Sequence, residues 1–225
     1  MIAGMASANP LVLLSGSPPA AGGQTPRASF ALDALGGAAN AQVYDAVAAS
    51  WVGGACDTAD FSSGYLVANS TTDRCYIPGS YLQKDAGNDG ITIKFEYQVN
   101  TGDLSLYSVY YDSSGDIFSW RHQNASNTGR MAIRANFGST DTATWTNTGF
   151  AVDTWHTAVV QIDFVAKSMA MTINGSQPAG YTESSEADIA DWSTLAGNFY
   201  LGYVASGTNT VRLKNLAIYN GLVTP

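Results

Sequence analysis

From about residue 60 onward, apolar residues recur at every second position in short runs. In Ile91-Thr92-Ile93-Lys94-Phe95-Glu96-Tyr97-Gln98-Val99 the odd positions are apolar and the even ones polar. A strand points alternate side chains to opposite faces, so this run predicts a half-buried strand. A helix would scatter the same apolar residues around its circumference. Leu104–Tyr111 is a second strand, Asp112–Asp116 turns the chain, and Ile117–His122 returns as a hairpin. Met131–Ala135, Thr142–Thr146, Trp155–Phe164, Ser168–Asn174, Phe199–Val204 and Val211–Tyr219 continue the series, with shorter runs at Tyr65–Val67 and Cys75–Ile77. Ala158, Val160, Ile162 and Phe164 are expected to face inward, as are Met169, Met171 and Ile173. About ten short strands at regular spacing predict an antiparallel sandwich or barrel.

Two stretches lack this period. Residues 29–52 are Ala-rich, with Gly36-Gly37 interrupting them, and predict one or two short helical turns leading into the sandwich. In Glu183–Leu195, Ser184 or Ser185 is placed to cap a helical turn, with Glu186 and Asp188 near its positive end. Residues 1–28 hold Ala, Gly, Ser and Pro with one charge, so they are expected to be an extended arm. The run Leu11, Val12, Leu13 and Leu14 is too apolar for a purely solvating tail and marks the arm's expected docking segment. Residues 29–225 then form the domain proper.

Composition narrows the function classes. Only 12% of the residues are charged and the net charge is −8. The surface is therefore built from Ser, Thr, Asn, Gln and Gly, as in extracellular and virion β proteins. Nucleic-acid binding needs a basic stripe to displace counterions, and the ten Lys and Arg residues are scattered along the chain. Acidic membranes are disfavoured on the same ground, and no run approaches the roughly 20 apolar residues of a membrane span. The first basic residue is Arg27, so no basic-then-apolar leader opens the sequence. The sequons at Asn69, Asn124 and Asn174 are then read as products of a Ser/Thr/Asn-rich composition. Cys56 and Cys75 match no zinc motif, and two readings stay open: one disulfide between neighbouring strands, or two buried thiols.

The second half of the chain resembles a known family. Gly149–Val160, with Trp155-His156 at a strand start, is similar to the laminin-G-like strand that opens with Trp-His. Met169–Gly175 resembles the strand that follows it and ends in an Asn-Gly turn, and Phe199-Tyr200-Leu201-Gly202 resembles the family's "Leu-Gly" strand. Val211–Asn220 resembles its closing strand, and Ile91–Val99 its earlier aromatic strand. The resemblance to the laminin-G-like, concanavalin A-like group covers residues 60–222. It implies an all-β, two-sheet antiparallel jelly-roll sandwich.

Members of this fold often bind Ca²⁺ or sugars, but no loop here offers matching, closely spaced Asp and Asn ligands. Asp112 and Asp116 flank a Ser-Ser-Gly turn that reads as a solvated hairpin tip, so neither metal nor cofactor is expected. Glu186-Ala187-Asp188-Ile189-Ala190-Asp191 is similar to the Glu-x-Asp-x-x-Glu signature of laminarinase-type hydrolases. It ends in Asp rather than Glu and falls in a connection rather than on a strand, so no catalytic residues are assigned. The alternative, a laminarinase-like hydrolase, rests on those carboxylates.

Sugars are bound by aromatic platforms and a few placed amides and hydroxyls. Tyr111, Trp120, Arg121, His122 and Asn124 gather around one hairpin, and Trp145 sits among Thr and Asn. These six are the candidate glycan-binding residues, against the alternative that each aromatic packs into the core. The expectation is a non-catalytic recognition or assembly module at a virion surface: a phage capsid decoration, head-fibre or tail component. Its arm would dock on a capsid or tail shell and its sandwich would meet cell-surface glycans, with no nucleic-acid or membrane partner. Unpaired edge strands on a low-charge surface also allow copies to associate. The alternative is a carbohydrate-binding module of a bacterial surface or secreted protein.

Overall fold

The computed structural model describes residues 24–37, 41–54, 56, 60–70, 73, 75–100, 104–112, 118–125, 128–136, 140–146, 151–166, 168–177, 181–184, 195, 197–204 and 210–223. Within 104–112, 118–146, 181–184 and 203–204 the description is of backbone, Trp120 excepted. All the described strand pairings are antiparallel, and they form two sheets.

The first sheet contains β1 (Ala28–Phe30), β2 (Val43–Asp45), β3 (Ser50–Val52), β4 (Leu66–Ala68), β6 (Gly90–Val99), β11 (His156–Asp163), β12 (Ser168–Ile173) and β15 (Val211–Asn220). Its order is β12-β11-β6-β15-β1-β2-β3, with β4 also paired to β15. The second sheet contains β5 (Cys75–Pro78), β7 (Leu104–Asp112), β8 (Phe118–Ala125), β9 (Thr128–Asn136), β10 (Thr140–Thr146), β13 (Tyr181–Ser184) and β14 (Asn198–Val204). Its order is β13-β10-β9-β8-β7-β14-β5. The chain is therefore the all-β, antiparallel two-sheet sandwich that the period of two predicts.

Alternation sets which side chains meet between the sheets. Ile91, Ile93, Phe95, Tyr97 and Val99 of β6 are all buried, as are Ala158, Val160 and Ile162 of β11 and Met169, Met171 and Ile173 of β12. Facing them from the second sheet are Cys75, Ile77, Phe199, Leu201 and Trp120. One apolar cluster joins both sets. Trp120 is its largest fully buried side chain; its indole meets Phe95 and Tyr97 edge-on at 5.0 and 4.7 Å. Its Nε1–H points at the Met171 sulfur, 3.0 Å away, so the buried donor has a soft acceptor.

Two expectations are corrected. Residues 29–52 hold β1, β2 and β3 rather than helical turns. Ala28 pairs with Ile218 and Phe30 with Asp45, which adds this segment to the edge of the first sheet. The Asp45 carboxylate is buried and accepts from the Ser29 and Val47 amides at 3.1 and 2.9 Å and from the Tyr81 hydroxyl at 3.0 Å. Those three donors give the carboxylate what water would otherwise supply. Tyr181–Ser184 is also a strand, β13, paired with β10 from Trp145↔Tyr181 to Thr142↔Ser184, so the proposed cap at Ser184 is not a helix start. Residues 185–194 lie outside the described residues, as do 1–23 with the docking segment Leu11–Leu14.

Cys56 and Cys75 form a disulfide, which resolves the two readings left by the sequence. The bond ties the segment after β3 to the start of β5. A backbone bridge between Gly54 and Tyr76, with both hydrogen bonds at 3.1 Å, lies beside it. Together they close the gap between the edge of the first sheet and the edge of the second.

A candidate carbohydrate-binding face

At this closed edge, β2 and β3 form a hairpin with Val43↔Val52, Tyr44↔Trp51 and Asp45↔Ser50 in register. Val43 and Asp45 are buried, so the cross-strand pair Tyr44 and Trp51 faces outward. Their rings meet edge-on, 5.3 Å apart at 66°. Among the described residues the exposed large apolar side chains are Val47, Trp51, Val165 and Leu222; Trp51, at 40%, is the aromatic one.

The indole has a floor. Gly36 pairs with Gln42 by two hydrogen bonds of 3.1 Å, and a Cβ on Gly36 would collide with the benzo ring of Trp51. A Cβ on Gly37 would collide with the Gln42 side chain. The ring therefore lies against backbone that only glycine leaves clear, while its exposure keeps the rest in water. Gln42 Nε2 donates to the Gly53 carbonyl at 3.2 Å, which holds an amide beside the ring. Across the Gly54–Tyr76 bridge stands a second aromatic pair: Tyr76 and Tyr200, edge-on at 5.9 Å. Asn198 Nδ2 donates to the Tyr200 hydroxyl at 3.3 Å. Phe199 and Leu201 point into the core, so Asn198 and Tyr200 belong to the outer face of the second sheet.

Other polar and aromatic groups are committed to the fold. The Trp155 ring is covered by Lys214, whose Nζ stands 4.1 Å over it, and by the edge of Tyr65 at 5.2 Å. Lys214 also pairs with Glu96 at 3.3 Å, and Asn215 donates to that carboxylate at 2.7 Å. His156 is buried; Nε2–H donates to the Ala151 carbonyl at 2.8 Å, so in the neutral ring Nδ1 accepts from Asn174 Nδ2 at 3.0 Å. Both nitrogens are spent on structure, as the Trp-His strand start suggests. A polar cleft of about 290 Å³ is lined by Arg27, Ser80, Tyr81, Gln83 and Asp85. Arg27 commits both terminal nitrogens there, to Gln83 O at 2.6 Å, Asn220 Oδ1 at 2.9 Å and Ser80 O at 3.3 Å, beside Asp85 at 3.5 Å. Burial and the neighbouring Asp45 charge push the Tyr81 hydroxyl up to about 12. Among the described residues no three metal-ligating side chains gather.

The structure reassigns one candidate from the sequence. Trp120 is fully buried and anchors the core, so it offers no surface to a sugar. The side chains of Tyr111, Arg121, His122, Asn124 and Trp145 lie outside the described residues. Their backbone positions fall on three strands of the second sheet, β7, β8 and β10. Unbroken pairing of β8 with β9 puts Arg121 opposite Ala132, in alternation with Trp120. Glu186, Asp188 and Asp191, and the Asp116 of the hairpin tip, are outside the described residues as well. The Trp51 face was missed from sequence; the signal available was a Trp followed by Gly53-Gly54 and preceded by Gly36-Gly37.

The fold and this face define a β-sandwich with an exposed aromatic surface at one closed edge. No protein-family model matches the sequence, and no curated protein is similar to it. Among solved structures, the chain is similar to Trypanosoma rangeli sialidase in complex with 2,3-difluorosialic acid, at 14% identity and a TM-score of 0.60, over 91% of this chain and 32% of that one. It is similar to the receptor binding domain of botulinum neurotoxin mosaic serotype C/D at 8% identity and a TM-score of 0.60, over 88% and 48%. The binding domain of botulinum neurotoxin DC in complex with SialylT matches at 11% identity and a TM-score of 0.58, over 87% and 47%. The chain thus spans a third to a half of these longer chains, and the likeness is one of fold.

Proposed function

We propose that this chain is a non-catalytic carbohydrate-recognition module of the laminin-G-like jelly-roll type, and that sugar docks on the Trp51 face. One observation carries the reading: an indole 40% exposed, floored by glycine backbone and braced edge-on by Tyr44. A ring held flat with one side in water suits the apolar face of a sugar, and the neighbouring amide suits its hydroxyls. Two of the similar structures hold sialic-acid derivatives, which agrees with sugar as the ligand class without naming the sugar.

The module works outside the cell, on a virion as a capsid decoration, head-fibre or tail component. Support comes from the low charge of the surface and from the Cys56–Cys75 disulfide, a bond that persists in oxidising surroundings. Docking on a capsid or tail shell is assigned to the N-terminal arm through Leu11–Leu14; of the expected 1–28 arm, Arg27 and Ala28 belong to the sandwich. A second reading makes the chain one module of a larger surface or secreted protein; the fraction of each similar chain that it covers favours that version.

The test is a glycan array probed with the full chain and with Trp51→Ala. The expected outcome is a restricted set of saccharide hits in the full chain and at least a tenfold weaker signal in the variant, with unchanged far-ultraviolet circular dichroism. Equal signals from the two proteins would remove the Trp51 face from the reading. Light scattering of the full chain and of residues 24–225, alone and with shells, tests the arm. Shell association that survives the truncation would overturn the docking assignment.

A further inference from the structure

We infer that the Trp51 face takes an uncharged oligosaccharide, laid from Trp51 across the closed edge toward Tyr76 and Tyr200, rather than a sialylated or otherwise carboxylated sugar. This deepens the carbohydrate reading above and rests on it.

The first ground is charge. Among the described residues, those set against Trp51 and along the edge beyond it include Gly36, Gln42, Tyr44, Gly54, Tyr76 and Tyr200, all uncharged. The cations with described partners are engaged elsewhere. Arg27 holds the polar cleft, Arg212 pairs with Gln98 and Asp153, and Lys214 sits between Trp155 and Glu96. Lys84 lies over Phe164. A carboxylate on this face would lose water and gain no counter-charge from the described residues beside Trp51, in the field of a protein of net charge −8. A neutral sugar needs hydroxyl partners, and amides and phenols are what the edge supplies.

The second ground is the shape of the edge. The Gly54–Tyr76 bridge joins the edges of the two sheets. Three Cα steps lead from Trp51 to Gly54, and a bridged pair adds one strand spacing, so the Cα atoms of Trp51 and Tyr76 are at most roughly 15–16 Å apart. An oligosaccharide is long enough to touch both aromatic pairs anywhere within that limit. Glycine keeps the path low. A Cβ on Gly54 would come 2.8 Å from the Tyr76 hydroxyl, and one on Gly53 would strike the Tyr76 carbonyl. Gly53 and Gly54 thus let the Tyr76 strand and ring approach closely, next to the Trp51 hairpin.

The experiment is isothermal titration calorimetry on the full chain with neutral gluco- and galacto-oligosaccharides from mono- to hexasaccharide, and with sialyllactose. Trp51→Ala, Trp51→Phe and Tyr76→Ala are titrated beside it, each checked for an unchanged melting transition. The expected result is affinity rising at least tenfold from mono- to hexasaccharide and no heat with sialyllactose. Trp51→Ala then loses binding at every length, Trp51→Phe keeps part of it, and Tyr76→Ala flattens the rise with length. Sialyllactose binding that equals the neutral sugars and vanishes in Trp51→Ala would overturn this inference and leave the carbohydrate reading standing. Neutral binding independent of length and of Tyr76 would overturn the extended path in the same way. Saccharide binding untouched by Trp51→Ala, or none by any protein, would overturn the reading beneath it.

Discussion

Three tryptophans of this chain show how the same side chain is put to different uses by what lies against its ring. Trp120 is enclosed by Phe95, Tyr97 and Met171, Trp155 is roofed by Lys214, and Trp51 rests on glycine with water above it. Trp120→Ala is expected to destabilise the fold by about 3–5 kcal/mol, the range for emptying a large buried aromatic, as read by urea denaturation. Trp51→Ala empties no interior space and is expected to change that midpoint little. Tyr81 gives a residue-scale pH prediction. Its hydroxyl titrates near 12 in the fold against 10.0 normally, because burial and then the Asp45 charge favour the neutral phenol. Folding therefore gains from the neutral phenol below pH 10, and the gain is lost as pH rises from 10 toward 12. Stability should fall across that window, and Tyr81→Phe should flatten the fall; an identical alkaline decline in the variant would exclude Tyr81 as its source.

At the scale of the element, the legible strands were those whose outward residues are polar. Thr92, Lys94, Glu96 and Gln98 alternate with five buried apolar side chains in β6, and the same contrast marks β11 and β12. In β2 the contrast is inverted: Asp45 turns inward to three donors while Tyr44 turns outward, and Trp51 does the same in β3. A three-residue strand with its polar residue inside and its aromatic outside reads as no strand at all, so both the hairpin and its aromatic face were hidden together. The hairpin turn after β12 was legible for the opposite reason. Asn174 and Gly175 both have positive φ, 51° and 79°, as a tight primed turn requires. Asn174 also accepts from the Thr157 amide and donates to His156, so Asn174→Ala should cost about 1–3 kcal/mol through the unpaired His156 nitrogen. Gly175 has open space where a Cβ would go, so Gly175→Ala should cost only about 1–2 kcal/mol, from its left-handed backbone. Thermal melts of the two variants separate these contributions.

For the whole molecule, the disulfide and the Gly54–Tyr76 bridge act on one edge. Cys56 and Cys75 are 19 residues apart, so replacing both by Ser should lower stability by about 3 kcal/mol through the freed unfolded chain. Weaker saccharide binding by the same variant, under conditions where it stays folded, would show that the edge shapes the aromatic path and does not only staple the sheets. Within the first sheet, Arg27 donates its amide to Ile218, Ala28 is the cross-strand partner of Ile218, and Gln24 lies beside Gly221. The polypeptide thus enters and leaves the sandwich through neighbouring doors, about one strand spacing apart. A body with that geometry can be spliced into a surface loop of a host protein as a cassette, with the host's two loop ends barely moved. It can equally be circularly permuted by a short linker between residues 223 and 24, with new ends opened at the Asn174-Gly175 turn.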